Sequence, residues 1–354
     1  MGVQHGGDWA TFQAEHGAMP LDFSANVSPL GMPESVRAAV IESLKDAARY
    51  PDPRCRALRR KLAVRHELSP EDILCGNGAA DLIYRLCYAV RPGCALVTAP
   101  AFGEYEQALR QVDCTVRRFH LRAEEGFKLP DRFLEALTPD LDIAFLCQPN
   151  NPAGTALDRG LLRRILDRCR DMGTLMCLDE CFADFLGEDD SCAALVPQYP
   201  DLFVLRAFTK WYGIPGLRLG YGLCGDRSLL ARMAASGPPW AVSSVAQAAG
   251  IAALEDADYG VRLRTLMEAE RPRMQRALQE LGLRVVPGTA NFLLFYTPDA
   301  RLGEKLARKN ILIRDCSDYP GLEPGWFRIA IRTREENDKL LAAMKEVCAW
   351  QSGS

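Results

Sequence analysis

Five short apolar runs, at 95–98, 143–147, 175–178, 203–206 and 219–224, alternate with longer stretches whose apolar residues recur at helical spacing. A run that is apolar at nearly every position reads as a strand covered on both faces. Strands of that kind joined by helices need crossover connections, which constrains the chain to a mostly parallel, helix-covered sheet. The helical stretches fall at 34–48, 56–66, 79–90, 103–111, 131–137, 158–172, 226–236, 243–255, 259–281, 301–309 and 335–348. After about 283 the texture changes, and strand-like runs at 283–286, 292–296, 311–313 and 327–331 follow one another with fewer helices between. The expected organisation is α/β: an N-terminal segment over 1–45 packing with the small domain, a large domain over 46–240, and a smaller α+β domain over 241–354.

Charge excludes some partners. The 354 residues carry 43 Lys and Arg against 46 Asp and Glu, a net charge of −3, so no large single-sign field is available for nucleic acid or an anionic membrane. The densest basic run, 54–65, also holds Ala57, Leu58, Leu62 and Val64, which makes it an amphipathic helix with a solvated basic face. No apolar stretch approaches the ~18 residues of a membrane span. The start MGVQHGGDWATF lacks the basic and apolar regions of a signal peptide, and Gly6 stands where a myristoylation signal needs Ser or Thr. The 13 cysteines are scattered without a repeated spacing, as expected of buried thiols in a reducing cytoplasm, and the four histidines show no zinc-type pairing. No metal is expected.

Common fingerprints fail. Gly76-Asn77-Gly78 continues into Ala79-Ala80-Asp81, so the third glycine of a dinucleotide motif is missing, and there is no P-loop, HExxH or GxSxG. Four loops at strand ends, where α/β sheets bind ligands, carry chemistry instead. In the first, Gly76-Asn77-Gly78-Ala79-Ala80, the glycines let backbone N–H groups approach an anion at a helix start, though a plain tight turn explains them equally. The second, Gln148-Pro149-Asn150-Asn151-Pro152-Ala153-Gly154, reads first as turn chemistry, with Asn151 able to donate to a ligand oxygen. The third is Asp179-Glu180 at the end of a buried strand. A carboxylate there needs a partner, either a helix start or a cationic ring nitrogen.

The fourth loop, 206–221, contains Thr209, Lys210 and Arg218 in the run FTKWYGIPGLRLGY. Aromatic neighbours desolvate Lys210, which lowers its pKa and makes its amine a nucleophile. Thr209 and Arg218 can serve one dianion, by hydroxyl and by guanidinium fork. A lysine running along the surface is the alternative. Together the four loops describe one ligand: an aldehyde for Lys210, a pyridinium nitrogen for Asp179, a ring oxygen for Asn151 and a phosphate for Thr209 and Arg218. That ligand is pyridoxal 5′-phosphate.

The runs GNG, PNNPAG, LDE and TKWYGIPGLRLGY, in that order, resemble the class I/II, fold-type I pyridoxal-phosphate enzymes over nearly the whole chain. His5-Gly6-Gly7, the stretch 21–31, Arg49-Tyr50-Pro51, the stretches 313–316 and 319–322, and 327–332 narrow the resemblance. They are similar to members acting on phosphorylated amino acids, by decarboxylation or by amino transfer. The resemblance implies a large domain with a mostly parallel sheet and a smaller α+β domain. It implies that Lys210 bonds the cofactor and Asp179 pairs its ring nitrogen. It also implies that Asn151 contacts the ring oxygen and Phe102 stacks on the ring, while Gly78, Ala79, Thr209 and Arg218 hold the phosphate. Tyr50 resembles a tyrosine that reaches the phosphate of a second subunit, which implies a homodimer with shared sites. Arg328 matches the arginine that takes the substrate carboxylate, with Arg314, Arg332, His5 and Asn26 near the substrate. Ala79 and Ala80 stand where relatives carry polar residues, Phe182 replaces a tyrosine, and Cys181 replaces a small alanine.

Overall fold

The computed structural model describes residues 5–187 and 191–349. Thirteen strands are found among them: β1 (Leu21–Asp22), β2 (Ile73–Gly76), β3 (Cys94–Ala99), β4 (Thr115–His120), β5 (Ile143–Cys147), β6 (Leu175–Asp179), β7 (Leu202–Ala207), β8 (Gly220–Cys224), β9 (Arg284–Val285), β10 (Phe292–Tyr296), β11 (Ile311–Leu312), β12 (Arg314–Asp315) and β13 (Trp326–Ala330). Seven of them form the main sheet in the order β2-β8-β7-β6-β5-β3-β4, parallel throughout except that β8 runs against both its neighbours. Every residue of β5, β7 and β8 is buried, which is why these strands are continuous apolar runs rather than alternating ones.

Two strands of this sheet carry no apolar run in the sequence. The edge strand β4, TVRRFH, is largely solvent-facing, and its charged side chains protect an open edge. The other, β2, is only ILCG and leads straight into a glycine turn. The stretch 131–137 forms a single turn, Phe133–Ala136, and the end of 34–48 tightens into a 3₁₀ turn, Leu44–Asp46, after the helix Glu34–Ser43. A further helix, Trp9–His16, lies where no helical period was evident.

Helix Arg159–Met172 shows how local sequence seats an element on this sheet. Asp158 caps its start by accepting from Leu161 N at 2.7 Å, and Gly173, at φ 70°, ends it. Leu161, Leu162, Ile165, Leu166 and Cys169 form its buried stripe. Each buried leucine there contributes roughly 2 kcal/mol, so a charged replacement on the stripe would destabilise the helix's docking by at least that much.

The C-terminal region builds a four-stranded antiparallel sheet, β12-β13-β10-β9, beside helices Ala257–Glu280 and Arg334–Ala349. The N-terminal segment pairs with this region through the parallel β1–β11 ladder, Leu21 opposite Ile311 and Asp22 opposite Leu312. It also reaches the main sheet's ligand edge, because Ser28 N–H donates to the Lys210 carbonyl at 2.8 Å.

Candidate active site

Parallel pairing brings the carboxyl ends of the central strands to one edge. Cys147 lies opposite Asp179, and Asp179 opposite Leu205. Because β8 is reversed, its first residue, Gly220, sits at the same edge opposite both Gly76 and Ala207. Four loops far apart in sequence thereby converge on one place.

Asp179 is the last residue of β6 and is 4% exposed. Its Oδ1 accepts from Cys181 N at 2.9 Å and its Oδ2 from the Tyr105 hydroxyl at 2.5 Å. Burial pushes the Asp179 carboxyl up, opposed by these hydrogen bonds and by the nearby Lys210 charge. The Tyr105 ring stacks on Phe145 at 5.1 Å between centroids, and Phe102 meets it edge-on at 5.7 Å. Strand alternation turns the adjacent Glu180 away, onto buried Arg206 at 2.8 Å, Ser191 at 2.8 Å and Cys192 N at 2.6 Å. Arg206 also bonds Asp184 at 2.8 Å. This buried ion cluster fixes both ends of the turn 180–184, which follows Asp179 and carries Phe182.

Lys210 lies in the one-turn helix Phe208–Trp211 that follows β7. Burial, helped by the positive charges of Arg328 and Arg218, lowers its amine from the ordinary 10.5 to about 8. Its Nζ sits 5.8 Å from the Phe182 ring centroid. Thr209 is buried in the same turn. Arg218 has a left-handed backbone, φ 57°, and donates to the Pro215 carbonyl at 3.3 Å. Its guanidinium faces Gly78, where φ is +83° and an added Cβ would come 2.7 Å from Arg218 Nη2. Gly78 and Ala79 begin the helix Ala79–Val90, and Asn77 N–H is held by Asp81 at 2.9 Å.

In the loop after β5, most side chains stabilise the turn itself. Asn150 bonds the Pro100 carbonyl and Ala153 N, and Gln148 accepts from Leu157 N at 2.7 Å. Asn151 is different, because its carboxamide oxygen accepts from Arg328 Nη1. Arg328 also donates to the Ser24 carbonyl at 3.1 Å and the Tyr319 hydroxyl at 3.4 Å. In the orientation its neighbours dictate, the Asn26 carboxamide oxygen accepts from Arg328 Nε at 3.1 Å. Each of these partners is neutral, so the buried Arg328 charge has none of them to balance it.

The other arginines are committed. Arg314 lies directly opposite Arg328 on β12, and Asp318 holds it with two bonds at 2.8 and 2.7 Å. Arg332 bonds Glu336 at 2.7 Å and the Asp22 carbonyl at 3.1 Å. His5 Nε2 meets Glu104 at 2.8 Å, with its ring 5.8 Å from Phe102. Tyr50 is not gathered into the site: it is 79% exposed and stacks on Trp240 at 4.5 Å. Tyr105 and Glu104 carry no signal used in the sequence reading, and Tyr319 enters it only within the stretch 319–322, with no role of its own. Tyr105 had a usable signal, since it stands one helical turn after Phe102.

Among the described residues the cysteines are free thiols, and no three His, Cys, Asp or Glu gather as metal ligands. Among them, too, no helix is long and apolar enough to cross a membrane.

The model of the aminotransferase class I and II family matches residues 18–344. The chain belongs to that family. Its large, mostly parallel sheet and smaller antiparallel sheet are the fold-type I architecture of these aminotransferases. Threonine-phosphate decarboxylase of Salmonella typhimurium (strain LT2) is 42% identical over 349 residues, spanning 97% of this chain and 96% of that protein. The histidinol-phosphate aminotransferase structure from Clostridium acetobutylicum superposes with a TM-score of 0.87 at 28% identity, covering 92% of this chain and 98% of that one. The L-threonine-O-3-phosphate decarboxylase structure from Porphyromonas gingivalis gives 0.82 at 28% identity, covering 92% and 99%.

Proposed function

We propose that this family member uses pyridoxal 5′-phosphate to decarboxylate L-threonine O-3-phosphate to (R)-1-amino-2-propanol O-2-phosphate, a product that serves cobalamin synthesis. The observation that carries the reading is full-length identity of 42% to a threonine-phosphate decarboxylase, joined to a lysine lowered to about 8 beside a buried carboxylate. The donor set fits the cofactor. Asp179 is a buried anion whose two hydrogen-bond donors, a phenol and an amide, are neutral, and a protonated ring nitrogen supplies the missing charge. The space that a Cβ at Gly78 would fill lies against the Arg218 guanidinium, where a phosphate finds its charge partner.

Pyridoxal phosphate, when bound, supplies a conjugated sink for the electrons left at Cα after a bond there breaks. Asp179 holds the proton on the ring nitrogen. Asn151 contacts the ring oxygen, and Phe102 packs on the ring face. Ala79 N–H, Thr209 and Arg218 would hold the phosphate beside the turn at Gly78, whose own N–H donates to the Gly76 carbonyl at 2.8 Å. Arg328 takes the substrate carboxylate and fixes which Cα bond is aligned for cleavage. Arg314, Arg332, Asn26 and His5 surround that end. Lys210 must leave the α-proton in place and return a proton to Cα once CO₂ has gone.

In a homodimer, Tyr50 reaches the cofactor phosphate of the second subunit. Its exposure of 79%, with its ring stacked on the exposed Trp240, supports such a contact. The domain limits 1–45, 46–240 and 241–354 are adopted with this reading, and so is a cytoplasmic location. Phosphorus NMR of the product tests the reaction: 1-amino-2-propanol O-2-phosphate accumulating over many turnovers supports it, and unchanged substrate contradicts it. The second reading is an aminotransferase for a phosphorylated amine such as histidinol phosphate, favoured by the TM-score of 0.87 to that enzyme's structure.

A further inference from the structure

The N-terminal residues 5–8 cross the site as a strap with three attachments. Gly6 lies so close to the main chain that an added Cβ would come 2.1 Å from the Ser24 carbonyl oxygen, so only glycine passes there. Gly7 N–H donates to Ser24 Oγ at 2.8 Å, and Ser24 is itself held by Asp22 Oδ1 at 2.7 Å. The same Ser24 carbonyl accepts from Arg328, so the strap rests on an atom that the substrate-side arginine also uses. The third attachment is His5, whose Nε2 meets the Glu104 carboxylate at 2.8 Å.

Glu104 is built for this purpose. It stands two residues after Phe102 and its side chain is 12% exposed. Oε1 meets His5 Nε2 at 2.8 Å and accepts from Gln107 Nε2 at 3.2 Å, while Oε2 accepts from the Tyr84 hydroxyl at 3.0 Å. The His5 bond holds the Glu104 carboxyl below the usual carboxylate range against the effect of burial. Tyr84 and Gln107 come from two different helices, Ala79–Val90 and Glu104–Arg110, so the carboxylate is aimed from both sides before His5 arrives.

We propose that Glu104 is a positioning residue for substrate binding: by holding His5 it keeps the 5–8 strap closed over Phe102 and Ser24, on the side occupied by Arg328. It acts through His5 and touches no reacting atom. The proposal rests on the functional reading above for the substrate, but not for the strap.

The test compares wild-type, Glu104→Ala and Glu104→Gln holoenzymes by amide hydrogen exchange over residues 5–12 and by CO₂ release from L-threonine O-3-phosphate. Loss of a charge-assisted hydrogen bond predicts that Glu104→Ala speeds exchange at Gly7 and raises KM about tenfold to a hundredfold, with kcat within about threefold of wild type. Glu104→Gln keeps one carboxamide oxygen to accept from His5 and places an NH₂ that donates to the Tyr84 hydroxyl oxygen, so it recovers most of both effects. A purely structural role would instead lower kcat and thermal stability together, without recovery by Gln, and would overturn the proposal. So would wild-type exchange at Gly7 with wild-type KM in Glu104→Ala. If the wild-type enzyme releases no CO₂, the functional reading falls, and the exchange comparison alone decides for or against Glu104.

Discussion

Tyr105 donates its hydroxyl hydrogen to Asp179 Oδ2 at 2.5 Å, both side chains being buried. The bond anchors a carboxylate that burial alone would push toward its neutral form. Asp179→Asn removes the charge and is expected to lower kcat about a hundredfold to a thousandfold, on the scale of losing one preorganised electrostatic group. Tyr105→Phe removes one donor and is expected to cost about tenfold. Steady-state CO₂ release checks both; equal losses would contradict the assignment of the charge to Asp179.

The lowered amine of Lys210 makes a prediction about the cofactor-free protein. Its folded value is about 8 against an ordinary 10.5, so between those pH values the unfolded chain binds more protons. Stability of the apo form therefore rises with pH across that window, and the cost of burying Lys210 is fully present below it. Lys210→Met should raise apo stability at pH 7 by about 1–3 kcal/mol, with the gain shrinking toward pH 10.5. Urea unfolding at the two pH values measures it. The same variant should lose the visible absorbance of lysine-bound cofactor, and wild-type capture of the cofactor should speed up as pH rises through about 8.

Gly78→Ala combines a strained φ of +83° with a Cβ placed 2.7 Å from Arg218 Nη2. Cofactor affinity is expected to fall at least about tenfold, corresponding to ~1.4 kcal/mol, while the folded chain persists. Equilibrium dialysis against pyridoxal phosphate reads this directly. Ala80→Ser, beyond the glycine cradle, should leave affinity unchanged or improve it.

Much of this arrangement was legible because a parallel sheet imposes it. Runs buried on both faces mark β5, β7 and β8, and the residues just beyond such strands converge at one edge. Asp179, Lys210, Asn151 and Arg218 are therefore singled out by the sequence itself. Elements without a hydrophobic signature were not legible: β4 is a charged edge, and β2 is four residues running into a turn. Residue type alone does not tell one arginine from another, and only the family resemblance set Arg328 apart from Arg314 and Arg332. Tertiary pairing adds that Arg314 and Arg332 meet carboxylates while Arg328 meets neutral oxygens. Glu104 escaped for the same reason, since its meaning comes from His5, 99 residues away.

That difference among the arginines is testable. Arg328→Lys keeps the charge but loses the fork, and kcat/KM should fall about tenfold to a hundredfold. Arg332→Gln breaks the Glu336 pair and should lower thermal stability more than it raises KM. Steady-state kinetics and thermal melts on the two variants separate the roles.

The central claim is tested most directly by mixing the cofactor-loaded enzyme with L-threonine O-3-phosphate alone, with no keto-acid acceptor, and following CO₂ and the cofactor spectrum together. The account predicts many equivalents of CO₂ per enzyme with the cofactor retained in its aldehyde oxidation level. Conversion to pyridoxamine phosphate after a single turnover, without CO₂, would contradict it and identify an aminotransferase.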